Sequence, residues 1–315
     1  MATQQIKSIV SPSRKLSRVC RRFAFGALIV AAGILVVLMG AGAFLTYRIS
    51  TAHDSVENVT PASYLLSNYQ AVNFTDADGK AHDGWLLIGL RGAPAIVLCH
   101  GYGSNRSVLL SLGTVLQANH FNVYLFNFDS SERAGYRSDL GPHEASVLHA
   151  AISRVTKVRG VDSHHVGVFG SSLGAYAALA AGEGDPAVAA LAMDEVYSRP
   201  VQLFDVRLEG LLGGVGGLFR LISNGEFHLL NIGDTGPGLR SGLSRLTGKP
   251  KLFLASDDAP LLENSTRSLY NGAPEPKRLV ILPHSQADAL SGPERKEYED
   301  QVLNFFLQNL PLRSE

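Results

Sequence analysis

Residues 170–174, with the letters GSSLG, place a serine between two glycines. The pattern G-x-S-x-G is typical of a nucleophile elbow, a sharp strand-to-helix turn that projects the central serine hydroxyl above a sheet. The apolar residues 166–169 before it fit a short buried strand, and the small residues that follow through Ala181 fit a closely packed helix. The glycines nearby lack the G-x-G-x-x-G spacing of a dinucleotide-binding turn. We therefore predict that Ser172 is a nucleophile.

A serine hydroxyl attacks efficiently only when a base takes its proton and an acid orients that base. In folds built on a nucleophile elbow these partners follow in the order Ser, Asp or Glu, His, each in a loop after a strand. Of the ten histidines, His228 and His284 come after Ser172. His228 falls in an irregular insertion, whereas His284 directly follows a predicted strand, so we predict His284 as the base. Asp257 and Asp258 both follow the preceding strand, and either could be the acid.

The tetrahedral intermediate of acyl transfer carries a negative oxygen, which preorganised N–H donors stabilise. One donor is expected from the backbone of Leu173, the residue after the nucleophile. The other is expected from the backbone of Tyr102, in the glycine-containing loop 100–103 that directly follows a predicted core strand. His100 opens this loop and precedes the serine in the chain, so we expect it to brace the loop rather than to transfer protons.

Short apolar runs alternate with helical segments through the middle of the chain. This rhythm predicts an α/β fold whose mostly parallel sheet is covered by helices on both faces. A hairpin with its turn at Asp78-Gly79 precedes the parallel strands. Residues 195–249 break the rhythm, and we predict there a mostly helical, lid-like insertion over the carboxyl edge of the sheet. The predicted strands are 69–75, 82–89, 95–99, 121–126, 166–169, 187–193, 251–255 and 278–282, and the predicted helices end near residues 117, 158, 269 and 309.

The N-terminal residues have the pattern of a membrane anchor. Residues 1–22 contain six Lys or Arg and no acid, and residues 23–47 contain no charge. As a helix the second segment would be about 37 Å long, enough to cross a hydrocarbon core of about 30 Å. The basic flank predicts a cytoplasmic N-terminus, a single-pass anchor at 23–47, a stalk at 48–63 and an extracytoplasmic globular domain at 64–315. Residues 41–43, with the letters AGA, resemble a signal-peptidase site, so a cleaved signal peptide is the alternative.

The composition narrows the possible partners. Lys plus Arg and Asp plus Glu number 28 each, so no charge excess favours nucleic acid. The two cysteines, Cys20 and Cys99, are not in metal-ligand spacing, and no H-E-x-x-H motif occurs. We therefore predict neither a metal site nor a disulfide. A serine mechanism needs no cofactor, and none is predicted.

Taken in order, these motifs resemble the α/β-hydrolase superfamily over about residues 64–312, and most closely its membrane-anchored Bem46-like serine hydrolases. The family commonly has strand-Gly-x-x-Asp at the acid. With Ala255 in the place of that glycine, the resemblance implies Asp258 as the acid. The matching segments, each after or within a predicted strand, are 100–103 (HGYG), 166–175 (VGVFGSSLGA), 255–258 (ASDD) and 283–284 (PH), with 141–144 (GPHE) similar to the segment before the elbow.

Three positions depart from the family pattern. Residues 127–132, NFDSSE, stand where many relatives have Asp-x-Arg-Gly-x-Gly, Ala255 replaces a glycine, and His284 follows its proline without a spacer. The resemblance otherwise implies a membrane-anchored serine hydrolase that cleaves a carboxylic ester through an acyl-enzyme, with Ser172, Asp258 and His284 as its triad. The apolar insertion and the anchor suggest a small-molecule or lipid-like acyl ester as substrate. A serine peptidase or amidase of the same fold, and a catalytically inactive binding protein, are the alternatives.

Overall fold

The computed structural model describes residues 13–51, 55, 57, 59–129, 137–213, 217–231, 238–284 and 290–312. These ranges contain ten strands and eight α-helices. The strands are β1 Tyr69–Ala71, β2 Phe74–Thr75, β3 Ala81–His82, β4 Gly84–Leu87, β5 Pro94–Cys99, β6 Asn122–Phe126, β7 Asp162–Ser171, β8 Val188–Asp194, β9 Lys251–Ser256 and β10 Lys277–Leu282. The helices are α1 Ser13–Ser50, α2 Leu110–Ala118, α3 Pro142–Val155, α4 Leu173–Gly184, α5 Pro200–Leu212, α6 Gly217–Leu230, α7 Pro260–Gly272 and α8 Gly292–Asn309.

Within the described residues, eight strands form one sheet in the order β1-β4-β6-β5-β7-β8-β9-β10. The strands from β6 to β10 in this order run parallel to one another, and β1 and β4 are antiparallel at one edge. Consecutive parallel strands are joined by helical crossovers, which have to return over a face of the sheet. The predicted mostly parallel, doubly wound sheet is confirmed.

The sheet separates two hydrophobic cores. In the central strand β5, Val97 belongs to one core, whereas Ile96 and Leu98 belong to the other, because successive side chains of a strand point to opposite faces. Helices α3, α4 and α7 contribute to the first core, and α2 and α8 contribute to the second. A strand buried on both faces has to be apolar at every position, which is why residues 95–99 form one continuous apolar run.

The predicted hairpin of strands 69–75 and 82–89 is present but divided into two pairs. β1 pairs with β4 inside the sheet, whereas β2 pairs with β3 outside it. Where the two pairs meet, the hydroxyl of Tyr124 donates to the carbonyl of Val72 at 2.6 Å. A Cβ at Gly84 would lie 2.1 Å from that hydroxyl oxygen. A side chain from a third strand therefore occupies the junction, and a pattern within the hairpin could not predict it.

The long helix α1 is continuous from Ser13 to Ser50. Its stretch from Cys20 to Ser50 is long and apolar enough to cross a membrane, whereas residues 1–12 of the predicted basic segment lie outside the described residues. The last turns of α1 contact the globular part, and Gly42, Thr46 and Ile49 are buried there. In the predicted insertion, α5 and α6 are helical as expected, and α6 packs against both α1 and α5.

Candidate active site

Parallel strands bring the predicted site residues to one edge of the sheet. β5 leads into the loop of Tyr102, β7 into Ser172, β9 into Asp258 and β10 into His284. Because the carboxyl ends of parallel strands meet at the same edge, these four segments lie along one edge of the sheet. β8 ends at the same edge and leads into Glu195, a residue that sequence analysis did not select.

Ser172 connects β7 to α4 in a strained turn. Its φ of 49° and ψ of −107° lie outside the regions that residues other than glycine normally adopt. A Cβ at Gly170 would lie 2.1 Å from the carbonyl oxygen of Gly174, and a Cβ at Gly174 would lie 2.3 Å from the carbonyl oxygen of Cys99. Neither position can accept a side chain, and this close packing is the physical reason for the glycines of the G-x-S-x-G pattern.

The hydroxyl of Ser172 is buried and uncommitted. The residue is 6% exposed, and its Oγ has no hydrogen-bond partner within the described residues. Its backbone N–H donates to the carbonyl of Asp194 at 2.8 Å, which ties the turn to the neighbouring strand β8. Leu173 is the first residue of α4, so its N–H has no acceptor within the helix and lies at the positive end of the helix dipole. This end of the helix favours negative charge beside the serine.

The structure pairs His284 with Asp258. The two atoms His284 Nδ1 and Asp258 Oδ2 lie 3.1 Å apart, and both side chains are about half exposed. Burial raises the pKa of Asp258, but hydrogen bonds from Ser256 and His284 and the charge of His284 outweigh it, so the pKa lies below its usual value. Asp257 instead contributes its backbone N–H to the carbonyl of Leu282 at 3.1 Å, which links the ends of β9 and β10.

The imidazole and the serine are not hydrogen-bonded to each other in this structure. The Nδ1 of His284 faces the carboxylate of Asp258, which leaves Nε2 as the nitrogen that can serve a hydroxyl. Residues 285–289, directly after His284, lie outside the described residues. The structure thus brings the predicted base and acid together and places the predicted nucleophile on the same sheet edge.

A buried carboxylate below the acid was missed by sequence analysis. The hydroxyl of Ser256 donates to Glu195 Oε1 at 2.7 Å, and it also lies within hydrogen-bonding reach of Asp258, to which it can donate instead. Glu195 is buried and has a positive φ of 54°. Ser256 therefore connects the Asp258–His284 pair to a residue that is fixed in the sheet edge. The sequence did contain a signal for this residue, because Glu195 is a charged residue at the carboxyl end of a predicted buried strand, where catalytic loops begin.

The loop after β5 is held from several sides. His100 Nε2 accepts the backbone N–H of Phe128 at 3.3 Å, so the ring proton is on Nδ1, which donates to the carbonyl of Gly101 at 2.9 Å. Both ring nitrogens thus serve the loop and its neighbour, in agreement with the expected bracing role. The hydroxyl of Tyr102 donates to the carbonyl of Ile49 at 3.0 Å. The loop that carries the predicted oxyanion donor is therefore attached to the last turn of α1.

One cluster of side chains has the composition of a metal site, which the sequence did not predict. Among the described residues, Asp76, Asp78 and His143 each bring a potential metal-ligand atom within 4.8 Å of the others. Asp76 already accepts the backbone N–H groups of Asp78 and Lys80 and contacts His82, so it serves the hairpin turn.

Residues 130–132, which belong to the departure from the family pattern at 127–132, lie outside the described residues.

Comparison with known proteins identifies the fold. The esterase Pf2001 of Pyrococcus furiosus superposes with a TM-score of 0.67 at 17% identity, over 84% of this chain and 100% of that chain. A dienelactone hydrolase from Anabaena variabilis superposes with a TM-score of 0.57 at 19% identity, over 77% and 98% of the two chains. An acetyl xylan esterase from a Paenibacillus species gives 0.56 at 17% identity, over 85% and 93%. The chain has the α/β-hydrolase fold.

The sequence relatives are more similar but carry no assigned activity. The uncharacterized protein YfhR of Escherichia coli is 27% identical over 253 residues in one strain and 26% identical in another. The alignment covers 76% of this chain and 81% of the relative. No protein-family model matches the chain. The predicted α/β-hydrolase fold is confirmed by the structural neighbours, and membership in the Bem46-like group stays a prediction.

Proposed function

We propose that this α/β-hydrolase-fold chain is a membrane-anchored serine hydrolase that cleaves carboxylic esters. The observation that carries the proposal is the strained elbow, which holds a buried and uncommitted Ser172 hydroxyl on the same sheet edge as the Asp258–His284 pair. Strain of about 1–3 kcal/mol at a single residue persists where the surrounding structure enforces it, and such residues cluster at functional sites. The esterases among the structural neighbours support hydrolysis as the type of reaction.

The proposed reaction forms and then hydrolyses an acyl-enzyme. Ser172 Oγ attacks the ester carbonyl while His284 Nε2 takes the hydroxyl proton, and Asp258 stabilises the resulting imidazolium through Nδ1. The N–H groups of Tyr102 and Leu173 stabilise the oxyanion. The tetrahedral intermediate collapses, the C–O bond of the leaving alcohol breaks, and His284 returns the proton to that oxygen. Water then attacks the acyl-enzyme with the same base, which releases the carboxylic acid and restores the serine.

The helix α1 is proposed to anchor this hydrolase as a single-pass span with the N-terminus in the cytoplasm and the globular part on the other side. The basic residues before the apolar run support this orientation. The burial of Gly42 against the globular part supports retention of the helix, because cleavage after residue 43 would remove that contact. A small-molecule or lipid-like acyl ester is the proposed substrate, since the site lies on a membrane-tethered domain.

Labelling with a fluorophosphonate probe tests the activated serine. The wild-type chain should be labelled, and Ser172→Ala should lose labelling completely because the probe bonds to the activated oxygen. Ser171→Ala is the matched control: this neighbouring hydroxyl contacts Asp194 at 3.4 Å and has no proposed role in catalysis, so labelling should persist. A folded wild type without labelling would identify an inactive scaffold, and labelling that survives in Ser172→Ala would mean that another serine reacts.

A panel of acyl substrates tests the bond and the chain length. Hydrolysis of carboxylic esters with medium or long acyl chains should exceed hydrolysis of the matching amides, and detergent micelles or vesicles should raise it. Equal rates for short soluble esters and long acyl esters, independent of membranes, would contradict the lipid-like substrate. Faster cleavage of the amides would favour a peptidase or amidase.

A further inference from the structure

The helix α6 has an apolar face that no other part of the described chain covers. Leu221 is 71% exposed and Leu229 is 68% exposed, and Ile222 and Gly225 lie on the same side of the helix. At 3.6 residues per turn these four positions fall within an arc of about 100°, the width of the apolar stripe of an amphipathic helix. Exposed leucines on one helix face form an apolar patch in contact with solvent, and such a patch favours contact with an apolar partner.

The opposite face of α6 is packed, so the exposed leucines are not a misplaced core. Ser223 and Phe227 are buried, and the ring of Phe227 stacks on Phe204 of α5 with centroids 4.7 Å apart. At the flank, Arg220 forms an ion pair with Asp205 of α5 at 2.9 Å. The helix is therefore fixed in rotation, with its polar and aromatic side inward and its leucines outward.

The contact between α6 and α1 places the middle of α6 beside the charge-free run of the anchor. A Cβ at Gly42 of α1 would lie 2.6 Å from Glu226 and 3.2 Å from Ser223, so the two helices touch at this glycine. Gly42 lies five residues before Tyr47, where the charge-free run of the anchor ends. At 1.5 Å per residue this is about 7.5 Å inside the end of the apolar segment. Helices that lie in a membrane interface bury their apolar face by about 5–10 Å.

We propose that α6 is a second membrane contact: its face of Leu221, Ile222, Gly225 and Leu229 lies in the headgroup and upper acyl region of the bilayer that α1 crosses. This inference rests on the proposed anchoring by α1. The occupant of the face is the lipid of that same bilayer, because the helix is held beside the apolar segment at the depth where lipid surrounds it. The insertion that contains α6 is then itself in contact with the lipid from which an acyl substrate would come.

The depth of α6 can be measured by fluorescence quenching in vesicles. The full chain with Cys20→Ser carries one remaining thiol, Cys99, which is buried and whose pKa burial raises well above its usual value, so it does not compete for a label. Leu221→Cys and Leu229→Cys would each be labelled with a bimane fluorophore and reconstituted into phosphatidylcholine vesicles that contain lipids with a nitroxide at a shallow acyl position. The matched control is Leu65→Cys, a leucine that is 92% exposed near the N-terminal edge of the parallel strands.

The label at positions 221 and 229 should be quenched by at least half, whereas the label at position 65 should lose less than a tenth of its intensity. Equal quenching at all three positions, or none at 221 and 229, would overturn the proposal. Flotation of the same samples tests the anchor independently of the quenching. A chain that does not float with the vesicles refutes the anchor and with it this inference. Fluorophosphonate labelling of the same samples reports on Ser172 separately, so failure of the hydrolase proposal is distinguishable from failure of the membrane contact.

Discussion

Ser256 links two carboxylates with a single hydroxyl proton. Its hydroxyl donates to the buried Glu195 and lies within reach of Asp258, which in turn pairs with His284. One hydroxyl can donate to one acceptor at a time, and a charged carboxylate has no proton to donate, so the two carboxylates share this donor in alternation. The orientation of Asp258 therefore depends on a group that does not touch the imidazole. Such a residue positions the acid without taking part in proton transfer.

Removal of the Ser256 hydroxyl should slow the serine without abolishing its reactivity. In Ser256→Ala, Asp258 loses one of the hydrogen bonds that lower its pKa and fix its geometry. The rate of fluorophosphonate labelling should fall about tenfold, which corresponds to about 1.4 kcal/mol of barrier. Ser256→Thr retains the hydroxyl and should recover most of the rate. Equal rates in wild type and Ser256→Ala would show that Glu195 and Ser256 serve only the fold.

Glu183 near the end of α4 makes the stability of the chain depend on pH. Burial raises its pKa to about 7, and the nearby Arg245 lowers it only in part. One of its oxygens, Oε1, is buried and has no hydrogen-bond partner within the described residues. An unfolded Glu titrates near 4.3, so between about pH 4 and 7 the folded state binds more protons than the unfolded state. The contribution of Glu183 to stability is therefore favourable at low pH and is lost as the pH rises through 7.

Glu183→Gln should remove this pH dependence. The variant should melt at a higher temperature than wild type at pH 8, where the wild-type carboxyl is charged in a buried place, and the difference should shrink toward pH 5. Thermal unfolding of the full chain in detergent at pH 5, 6, 7 and 8 measures it. A difference in melting temperature that is constant over this range would contradict the assigned pKa.

At the scale of elements, the contact of α1 with α6 depends on a residue without a side chain. A Cβ at Gly42 meets Glu226 and Ser223, whereas a Cβ at Gly40 meets nothing within 4 Å. Small residues at a helix contact let two backbones approach closely. Because the outward side of Gly40 is open, the two glycines of the same helix form a matched pair for testing the contact.

Gly42→Leu should destabilise the chain and Gly40→Leu should not. The leucine at position 42 has to displace α6, and such overpacking costs about 1–3 kcal/mol of unfolding free energy. At position 40 the leucine side chain extends away from the protein into the apolar medium around the anchor, where an apolar side chain is favourable. Thermal unfolding of both variants in detergent gives the comparison. Equal melting temperatures would show that α6 is not held by this glycine.

At the scale of the whole molecule, the last turns of α1 belong to the globular part. Tyr102, whose N–H is the proposed oxyanion donor, is attached through its hydroxyl to the carbonyl of Ile49. Removal of residues 1–39 should end integral membrane insertion and leave only the peripheral contact of α6, and it should preserve fluorophosphonate labelling, because the contacts of residues 42–50 stay. Removal of residues 1–50 should reduce labelling at least tenfold. Equal labelling of the two truncations would show that the helix end does not support the loop.

The sequence was sufficient to predict the strands of the sheet and the order in which the site residues follow them. Apolar runs such as 95–99 are buried on both faces, so the strand positions follow from composition, and the spacing of Gly170, Ser172 and Gly174 follows from a turn that excludes Cβ atoms at its ends. The choice of Asp258 over Asp257 needed the family resemblance, because two adjacent aspartates differ only in where β9 ends. The pairing of Asp258 with His284 in the structure agrees with it.

The contacts that sequence analysis missed are those set by residues distant along the chain. The link from Glu195 to Ser256 depends on the register of β8 against β9, in which Asp194 is paired with Leu254. The division of the hairpin depends on Tyr124, which belongs to a later strand. Periodicity and motif spacing contain no information on which side chain of a distant element fills such a gap.

The contact between α1 and α6 also has a consequence for the order of events during synthesis. More than 180 residues separate Gly42 from Glu226, so the anchor is made first and its partner helix emerges only after most of the sheet. Contacts of such long sequence separation close late, because the intervening chain has to be ordered first. Gly42, which contacts Glu226 and Ser223 in the finished chain, is then uncovered throughout most of translation. A chaperone or insertion factor that holds the nascent chain would find this side of α1 accessible until α6 arrives.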